Sequence, residues 1–185
     1  KEWDNDIFQS LDERQMLGVK TALHKDLLFL TGGPGTGKTR TIVAMILAIL
    51  HRNPNSSIAL AAPTGKAAFR MRESILSSLE SFGLEDSLRL ALLGCSRSTT
   101  LHRLLGTKFG SVDFLRNKDN PLHHDLVIID EASMVDLPLM SKFCASLRDE
   151  SKLVLVGDAD QLSPVQGGAV FNGLIKAHRA EDLLA

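Results

Sequence analysis

A glycine-rich segment limits the possible folds of this chain more than any other feature. Residues 31–40 read TGGPGTGKTR and directly follow the apolar run LLFL. Segment 32–39 fits the pattern GxxxxGK[ST], with a candidate strand before it and a candidate helix after it. Glycines let a backbone wrap closely around a phosphate and point its N–H groups inward. An ordinary glycine-rich turn is the alternative, but it needs neither Lys38-Thr39 nor the flanking strand and helix.

Short apolar runs alternate with helical patterns along the chain. Four runs are apolar throughout, as expected of strands covered on both faces: 26–32, 57–63, 125–130 and 152–158. Helices are predicted at 12–23, where Asp12 can form the cap, and at 38–52, 65–82 and 137–147. The less regular part has short helices predicted at 84–94 and 99–106, and a loop or hairpin at 106–121. The alternation predicts an α/β fold, a parallel sheet with helices on both faces.

Two other candidate strands end in polar side chains that suit nucleotide chemistry. Asp130 and Glu131 close the run LVIID, and Gln161 follows the fourth strand in GDADQLSP. The carboxyl ends of parallel strands meet at one edge, so these groups should lie beside the glycine-rich loop. Asp130 suits Mg²⁺, Glu131 could orient or deprotonate a water, and Gln161 could sense a γ-phosphate. Without that loop, the same residues would indicate only a solvated strand end and a capped turn.

A possible nucleic-acid surface follows the second candidate strand. Pro63 and Thr64 precede a helix with basic residues, and residues 97–118 hold five basic side chains against one acid. Helix N-termini, hydroxyls and basic groups bind phosphodiester backbones. The whole chain has a formal charge of −1, which argues against a globally basic nucleic-acid binder. A solvated basic face is the alternative interpretation.

Length and composition set the remaining limits. The 185 residues suit one domain, and a hydrophobic content of 44% is enough for a core. Cys95 and Cys144 lie far apart without a signal peptide, so reduced thiols in a cytoplasmic protein are expected. No apolar run reaches the roughly 18 residues needed to span a membrane. The chain starts at Lys1 and stops at Ala185 within a helical pattern, so we expect a fragment of a longer protein.

Six segments together resemble one family of motor enzymes. They are LDERQ, GGPGTGKT, APTGKAAFRM, TTLHRLLG, DEASMVD and GDADQLSPVQGGAV, in this order along the chain. In type and order they are similar to the motifs of superfamily 1 helicases. The similarity is greatest to the RecD group, the alpha subunits of bacterial exodeoxyribonuclease V. Two of the segments, DEASMVD and APTGKAA, favour RecD and its 5′-to-3′ relatives over helicases of opposite polarity.

The resemblance implies a role for each matching residue. Gln15 would contact the adenine of ATP. Seven residues would hold the phosphates and Mg²⁺: Gly33, Gly35, Thr36, Gly37, Lys38, Thr39 and Arg40. Asp130 would bind Mg²⁺ with Thr39, Glu131 would be the catalytic base, and Gln161 would couple the γ-phosphate to DNA contacts. The predicted catalytic residues are Lys38, Glu131 and Gln161. Single-stranded DNA would run along three residues: Pro63, Thr64 and His102.

The same resemblance implies a fold and an activity. The fold would be a RecA-like P-loop NTPase, here the first of two motor domains. ATP hydrolysis would drive 5′-to-3′ movement on single-stranded DNA in break repair, with other subunits of an exodeoxyribonuclease V-type complex. The arginines that a second domain would add to the ATP site fall outside these residues, so weak hydrolysis is expected from the chain alone. The alternatives are a conjugative relaxase-helicase, a stand-alone RecD-like helicase and a nucleotide-binding regulatory module.

Overall fold

A parallel sheet forms the centre of the chain. The computed structural model describes residues 6–81, 86–95, 97–108, 110–158 and 168–182. Five strands lie in these residues: β1 (Leu27–Thr31), β2 (Ile58–Ala62), β3 (Thr99–Thr100), β4 (Leu126–Ile129) and β5 (Lys152–Gly157). Their order across the sheet is β1-β5-β4-β2-β3, and each pairing is parallel. The predicted α/β fold with a parallel sheet is confirmed.

Helices connect and cover the strands. They are α1 (Asp6–Gln9), α2 (Glu13–His24), α3 (Lys38–Arg52), α4 (Gly65–Ser81), α5 (Asp86–Cys95), α6 (Leu101–Leu105), α7 (Leu137–Cys144) and α8 (Gly168–Asp182). A turn of 3₁₀ helix, Ala132–Met134, follows β4. None of the helices in the described ranges is both long enough and apolar enough to cross a bilayer.

Alternate residues of the central strands face two separate cores. On β4, Leu126 and Ile128 join the first core, whereas Val127 and Ile129 join the second. The first core contains side chains of α2, α3, α4 and α5, and the second contains side chains of α6, α7 and α8. Burial on both faces explains why these strands are apolar without interruption. The prediction of helices on both faces is confirmed.

Most element boundaries agree with prediction, and two differ for identifiable reasons. The four predicted strands and helices α2, α3 and α4 end within one residue of the expected positions. The helix predicted at 137–147 ends at Cys144. Beyond it, the N–H groups of Ser146 and Leu147 donate to carbonyls three residues earlier, which tightens the backbone into turns in place of α-helix. The helix predicted at 99–106 is shorter, because Thr99 and Thr100 pair with β2 as a strand that the sequence did not indicate.

Candidate nucleotide and nucleic-acid sites

The glycine-rich loop joins β1 to α3 at the carboxyl edge of the sheet. Gly35 and Gly37 each have a φ of 78°, in the left-handed region that favours glycine. A Cβ added to Gly33 or Gly35 would meet no atom within 4 Å. The Thr36 hydroxyl donates to the Gly33 carbonyl at 2.9 Å and braces the turn. The loop therefore presents open backbone, which a phosphate requires for close approach.

The Lys38 ammonium lies across this loop. Its Nζ donates to the carbonyl oxygens of Gly32 at 2.5 Å and Gly33 at 2.8 Å. Both partners are neutral, and no ion pair involves Lys38 among the described residues. A half-buried cation bound only by carbonyls is free to form a stronger, charge-assisted contact with a phosphate. Thr39 and Arg40 follow on the first turn of α3, where Thr39 is half-buried and Arg40 is exposed.

Gln15 connects the start of α2 to the glycine-rich loop. Its Oε1 accepts from the Asp12 N–H at 3.0 Å, and the Asp12 carboxylate accepts from the Gln15 N–H at 2.8 Å. These reciprocal bonds form a capping box. Gln15 Nε2 donates to the Thr36 carbonyl at 3.1 Å, and a Cβ on Gly37 would collide with this amide. A cleft of about 560 Å³ opens beside the contact, between α2, β1 and the loop.

Asp130 and Glu131 follow β4 at the same edge of the sheet. The Asp130 carboxylate accepts the Glu131 N–H at 2.9 Å. Burial raises the pKa of Asp130 above its usual value, while that N–H and then the charge of Lys38 oppose part of the shift. Strands β1 and β4 flank β5, so the loop lysine and the acid after β4 lie at the same edge of the sheet, within electrostatic range of each other.

Glu131 has an uncommon backbone conformation. Its φ is 52° and its ψ is 36°, and no other non-glycine residue of the described ranges has a positive φ. The left-handed conformation costs an L-residue roughly 1–2 kcal/mol. Residues held in this way concentrate at functional sites, where the surrounding structure imposes the geometry. The turn at Glu131 starts the 3₁₀ helix and carries the chain away from the strand end.

The described residues suit a metal ion that is bound partly by the protein and partly by the phosphates of a nucleotide. Among them, no group of three or more His, Cys, Asp or Glu side chains could bind a metal alone. Mg²⁺ at nucleotide sites needs only one or two protein ligands, because substrate phosphates and waters supply the others. A partly buried carboxylate with a raised pKa gains from a nearby cation, so Asp130 fits this requirement.

Gln161 lies outside the described residues, so its predicted role as a γ-phosphate sensor has no structural description. The strand before it does reach the site. The Gly32 N–H donates to the Gly157 carbonyl at 3.3 Å, and Thr31 pairs with Gly157 across β1 and β5. The carboxyl ends of β1, β5 and β4 therefore lie side by side.

Two threonines cap adjacent helices on the other half of this edge. The Thr64 hydroxyl accepts the Ala67 N–H at 3.2 Å at the start of α4. The Thr100 hydroxyl accepts a backbone N–H of α6 at the same distance. Because Ala62 pairs with Thr100 across β2 and β3, these helix starts are neighbours. A hydroxyl that accepts one bond can still donate its proton, for example to a phosphate oxygen.

His102 is exposed on α6, close to this pair of helix starts. Its ring meets Phe114 edge to face, with centroids 5.8 Å apart and planes at 65°. Lys142 on α7 contacts the loop that carries Phe114. Its Nζ lies 5.7 Å from the centroid of the Phe114 ring and donates to the Val112 carbonyl at 2.6 Å. Pro63, just before Thr64, is half-exposed. Sequence analysis missed Phe114 and Lys142, since contacts between separate elements leave no local pattern.

Some charges of the basic stretch 97–118 are already engaged within the chain. Arg116 Nη1 donates to the Asn120 side chain at 3.2 Å and to a nearby backbone carbonyl. Asp113 pairs with Lys142 at 3.1 Å. Arg116 is therefore partly held by neutral groups, and the one acid of the stretch is balanced by a lysine outside it. The role of the stretch stays a prediction.

Comparison with known proteins places the chain in a family. The model of a family described as an AAA domain matches residues 15–167. A RecBCD enzyme subunit RecD of Mycolicibacterium smegmatis is 44% identical over 92% of this chain and 31% of the relative. The RecBCD enzyme subunit RecD of Haemophilus influenzae is 40% identical over 90% of this chain and 26% of the relative. An ATP-dependent RecD2 DNA helicase of Deinococcus radiodurans is 36% identical over 91% of this chain and 20% of the relative.

These relatives are much longer than the matched region. The chain spans about a third or less of the length of these curated relatives. The resemblance seen in the six sequence segments is confirmed, and membership of an AAA-type family implies nucleotide binding. The chain belongs to the AAA domain family, and within it the sequence is of the RecD type.

Proposed function

We propose that this chain is the ATP-binding motor domain of a RecD-type DNA helicase. One observation carries the proposal: the Lys38 ammonium, which the described residues contact only through carbonyl oxygens, lies at the same edge of the sheet as the partly buried carboxylate of Asp130 and interacts with it electrostatically. That pairing suits the phosphates of a nucleotide and their metal ion. The names of the relatives, RecD subunits and a RecD2 DNA helicase, support a helicase as the context.

The loop and the first turn of α3 would bind the phosphates. The backbone N–H groups that would surround them belong to Gly33, Gly35, Thr36 and Gly37. Lys38 would exchange its carbonyl partners for phosphate oxygens. Arg40 is exposed beside them and could add charge. Thr39 and Asp130 would hold Mg²⁺, which neutralises charge developing on the phosphates.

Gln15 has the hydrogen-bonding capacity to read adenine. A glutamine amide has two acceptor sites and two donor sites. The contacts with Asp12 and Thr36 use one acceptor and one donor. One of each is left, which matches the N6 donor and N7 acceptor of adenine but not guanine, which offers two acceptors. We therefore propose ATP over GTP as the nucleotide, with the base in the cleft beside Gln15.

Hydrolysis would depend on the other strand ends. Glu131, held in its left-handed turn, would orient and deprotonate the attacking water. Gln161 would detect the γ-phosphate and pass its loss to the nucleic-acid contacts. Both roles come from the resemblance to RecD-type motifs and stay proposals.

Single-stranded DNA would contact the other half of the edge. The Thr64 hydroxyl, Pro63 and the exposed ring of His102 would meet the phosphodiester backbone, which positions a strand without reading its sequence. We propose 5′-to-3′ movement within a larger, cytoplasmic repair enzyme whose other subunits resemble those of exodeoxyribonuclease V. Two relatives are named as subunits of the RecBCD enzyme, which supports such partners.

Replacement of the loop lysine tests the proposal. Lys38→Ala removes a charge-assisted contact worth about 1.5–3 kcal/mol. The affinity for ATP in the presence of Mg²⁺, measured by titration calorimetry, should fall roughly ten- to a hundred-fold. Lys20→Ala, an exposed lysine on α2, is the matched control and should bind ATP like the wild type. Equal ATP affinity in the Lys38 variant and the wild type would show that the loop is not a phosphate site.

A further inference from the structure

Helix α4 presents an aromatic side chain to solvent. Phe69 is 61% exposed, and the other phenylalanines with described side chains are at least partly buried: Phe8, Phe29, Phe114, Phe143 and Phe171. Its neighbours Ala68 and Met71 are buried against the sheet. Packing on that inner face therefore fixes the helix so that Phe69 points outward.

The exposed face around Phe69 is rich in cations. Lys66, Arg70 and Arg72 are all exposed, and Glu73 is the acid beside them. Residues three and four apart on a helix are neighbours, so Lys66, Phe69, Arg70 and Glu73 form one stripe along α4. The stripe carries net positive charge on a chain whose formal charge is −1. An apolar ring bordered by basic side chains is the result.

The helix that carries this stripe starts at the proposed DNA contact. Thr64 caps α4 through the Ala67 N–H, and Phe69 lies five residues further along the same helix. With a rise of about 1.5 Å per residue, the two positions are separated by roughly 7.5 Å along the helix axis. At about 100° of rotation per residue, Phe69 also lies roughly 140° around the axis from Thr64. A strand that touches Thr64 would therefore reach Phe69 by passing over the start of the helix.

We propose that Phe69 is a stacking platform for a base of single-stranded DNA, with Lys66 and Arg70 on the adjacent phosphates. Binding of single strands without sequence preference combines cationic tracks with aromatic rings under successive bases. A protein partner would need a larger buried patch, with an apolar core depleted of charge. One ring among cations fits a nucleic acid better. The inference rests on the proposed function, because it extends the same DNA track.

Substitutions at Phe69 test the affinity. Phe69→Ala should weaken binding of labelled oligo-dT about five-fold to a hundred-fold, the range expected for one lost base stack. Phe69→Leu keeps an apolar side chain without a π face and should weaken binding similarly, whereas Phe69→Trp should restore it. Leu90→Ala on α5, at a residue 69% exposed, is the control and should bind like the wild type. ATP affinity should be the same in all of these proteins.

Fluorescence provides a direct measure of contact. Trp3 is the single tryptophan of the chain, so a Trp3→Phe background leaves the introduced residue as the sole emitter. The emission of Phe69→Trp should be quenched by oligo-dT in a saturable manner that weakens with salt. Leu90→Trp in the same background should not respond. An unresponsive Phe69→Trp would overturn the proposal.

A reference variant separates this inference from the proposed function. Thr64→Ala combined with His102→Ala should also weaken oligo-dT binding. If that variant binds weakly but Phe69→Ala and Phe69→Leu bind like the wild type, the DNA track is retained and the stacking platform is wrong. If Phe69→Leu alone binds like the wild type, the side chain acts as an apolar contact of the protein-interface type, which also overturns stacking. A wild-type chain that does not bind oligo-dT would overturn both.

Discussion

Replacement of Gln15 by glutamate separates base recognition from the folding of α2. Glutamate has almost the same shape, and it can still accept the Asp12 N–H, because it is a standard partner in a capping box. It cannot donate a hydrogen bond. The contact from Gln15 Nε2 to the Thr36 carbonyl, 3.1 Å long, becomes two oxygens facing each other. The substitution therefore removes the donors of the side chain and keeps the start of the helix.

The expected effects on stability and on binding differ in size. A lost neutral hydrogen bond costs about 0.5–1.5 kcal/mol, and a carboxylate in the first helical turn contributes about 0.3–1 kcal/mol through the helix dipole. The free energy of unfolding should therefore fall by about 1 kcal/mol or less. A whole bidentate base contact is worth about 1–3 kcal/mol, and glutamate would replace its donor half by an oxygen facing the acceptor N7. ATP should bind about five-fold to a hundred-fold more weakly.

The assay compares two ligands that share their phosphates. Titration calorimetry with ATP should show the loss, whereas inorganic tripolyphosphate, which has no base, should bind Gln15→Glu and the wild type equally. Urea denaturation measures the accompanying change in stability. The substitution could instead weaken the binding of tripolyphosphate as much as that of ATP. The loss would then come from a change at Thr36 and the phosphate loop, and the argument for base recognition would be wrong. Equal ATP affinities would refute it as well.

Two further predictions concern the acids after β4. Burial raises the pKa of Asp130, so the wild-type fold loses stability as this group ionises. Asp130→Asn should therefore stabilise the ligand-free chain by an amount that grows as the pH rises from about 4, the usual pKa of an aspartate, towards neutral. Urea denaturation across that range measures the difference, and a constant difference would contradict the raised pKa. Glu131→Gly should be more stable than Glu131→Gln by roughly 0.5–1 kcal/mol, because glycine adopts the left-handed turn freely. Matching thermal unfolding curves for these two variants would refute backbone strain.

The parts of the site that lie close together in sequence could be predicted. The glycine loop, Lys38 and Thr39 form one short segment whose chemistry depends on local geometry. Asp130 is distant in sequence, but a parallel α/β topology brings the ends of its strands to one edge. Pattern and topology together were therefore enough to expect Lys38 and Asp130 in one place.

The contacts that depend on tertiary packing could not be predicted. The bond from Gln15 to Thr36 exists because α2 packs beside the loop, and no local pattern encodes that distance. The edge contact of His102 with Phe114 likewise joins a helix to a loop. The left-handed turn at Glu131 is imposed on a residue type that rarely adopts it. Each depends on neighbours that only the folded chain supplies.

Strand β1 has a consequence for anyone who handles this chain in isolation. Among the described residues it is an outer strand, hydrogen-bonded within the sheet to β5 alone. Its sequence LLFLT contains no charge and no proline, and its residues are half-buried or exposed. Natural edge strands are usually guarded by charges, proline or bulges, because an unguarded edge is a template for another strand. Protein concentration is therefore an experimental variable, since we expect copies that meet along this edge to pair as an intermolecular sheet.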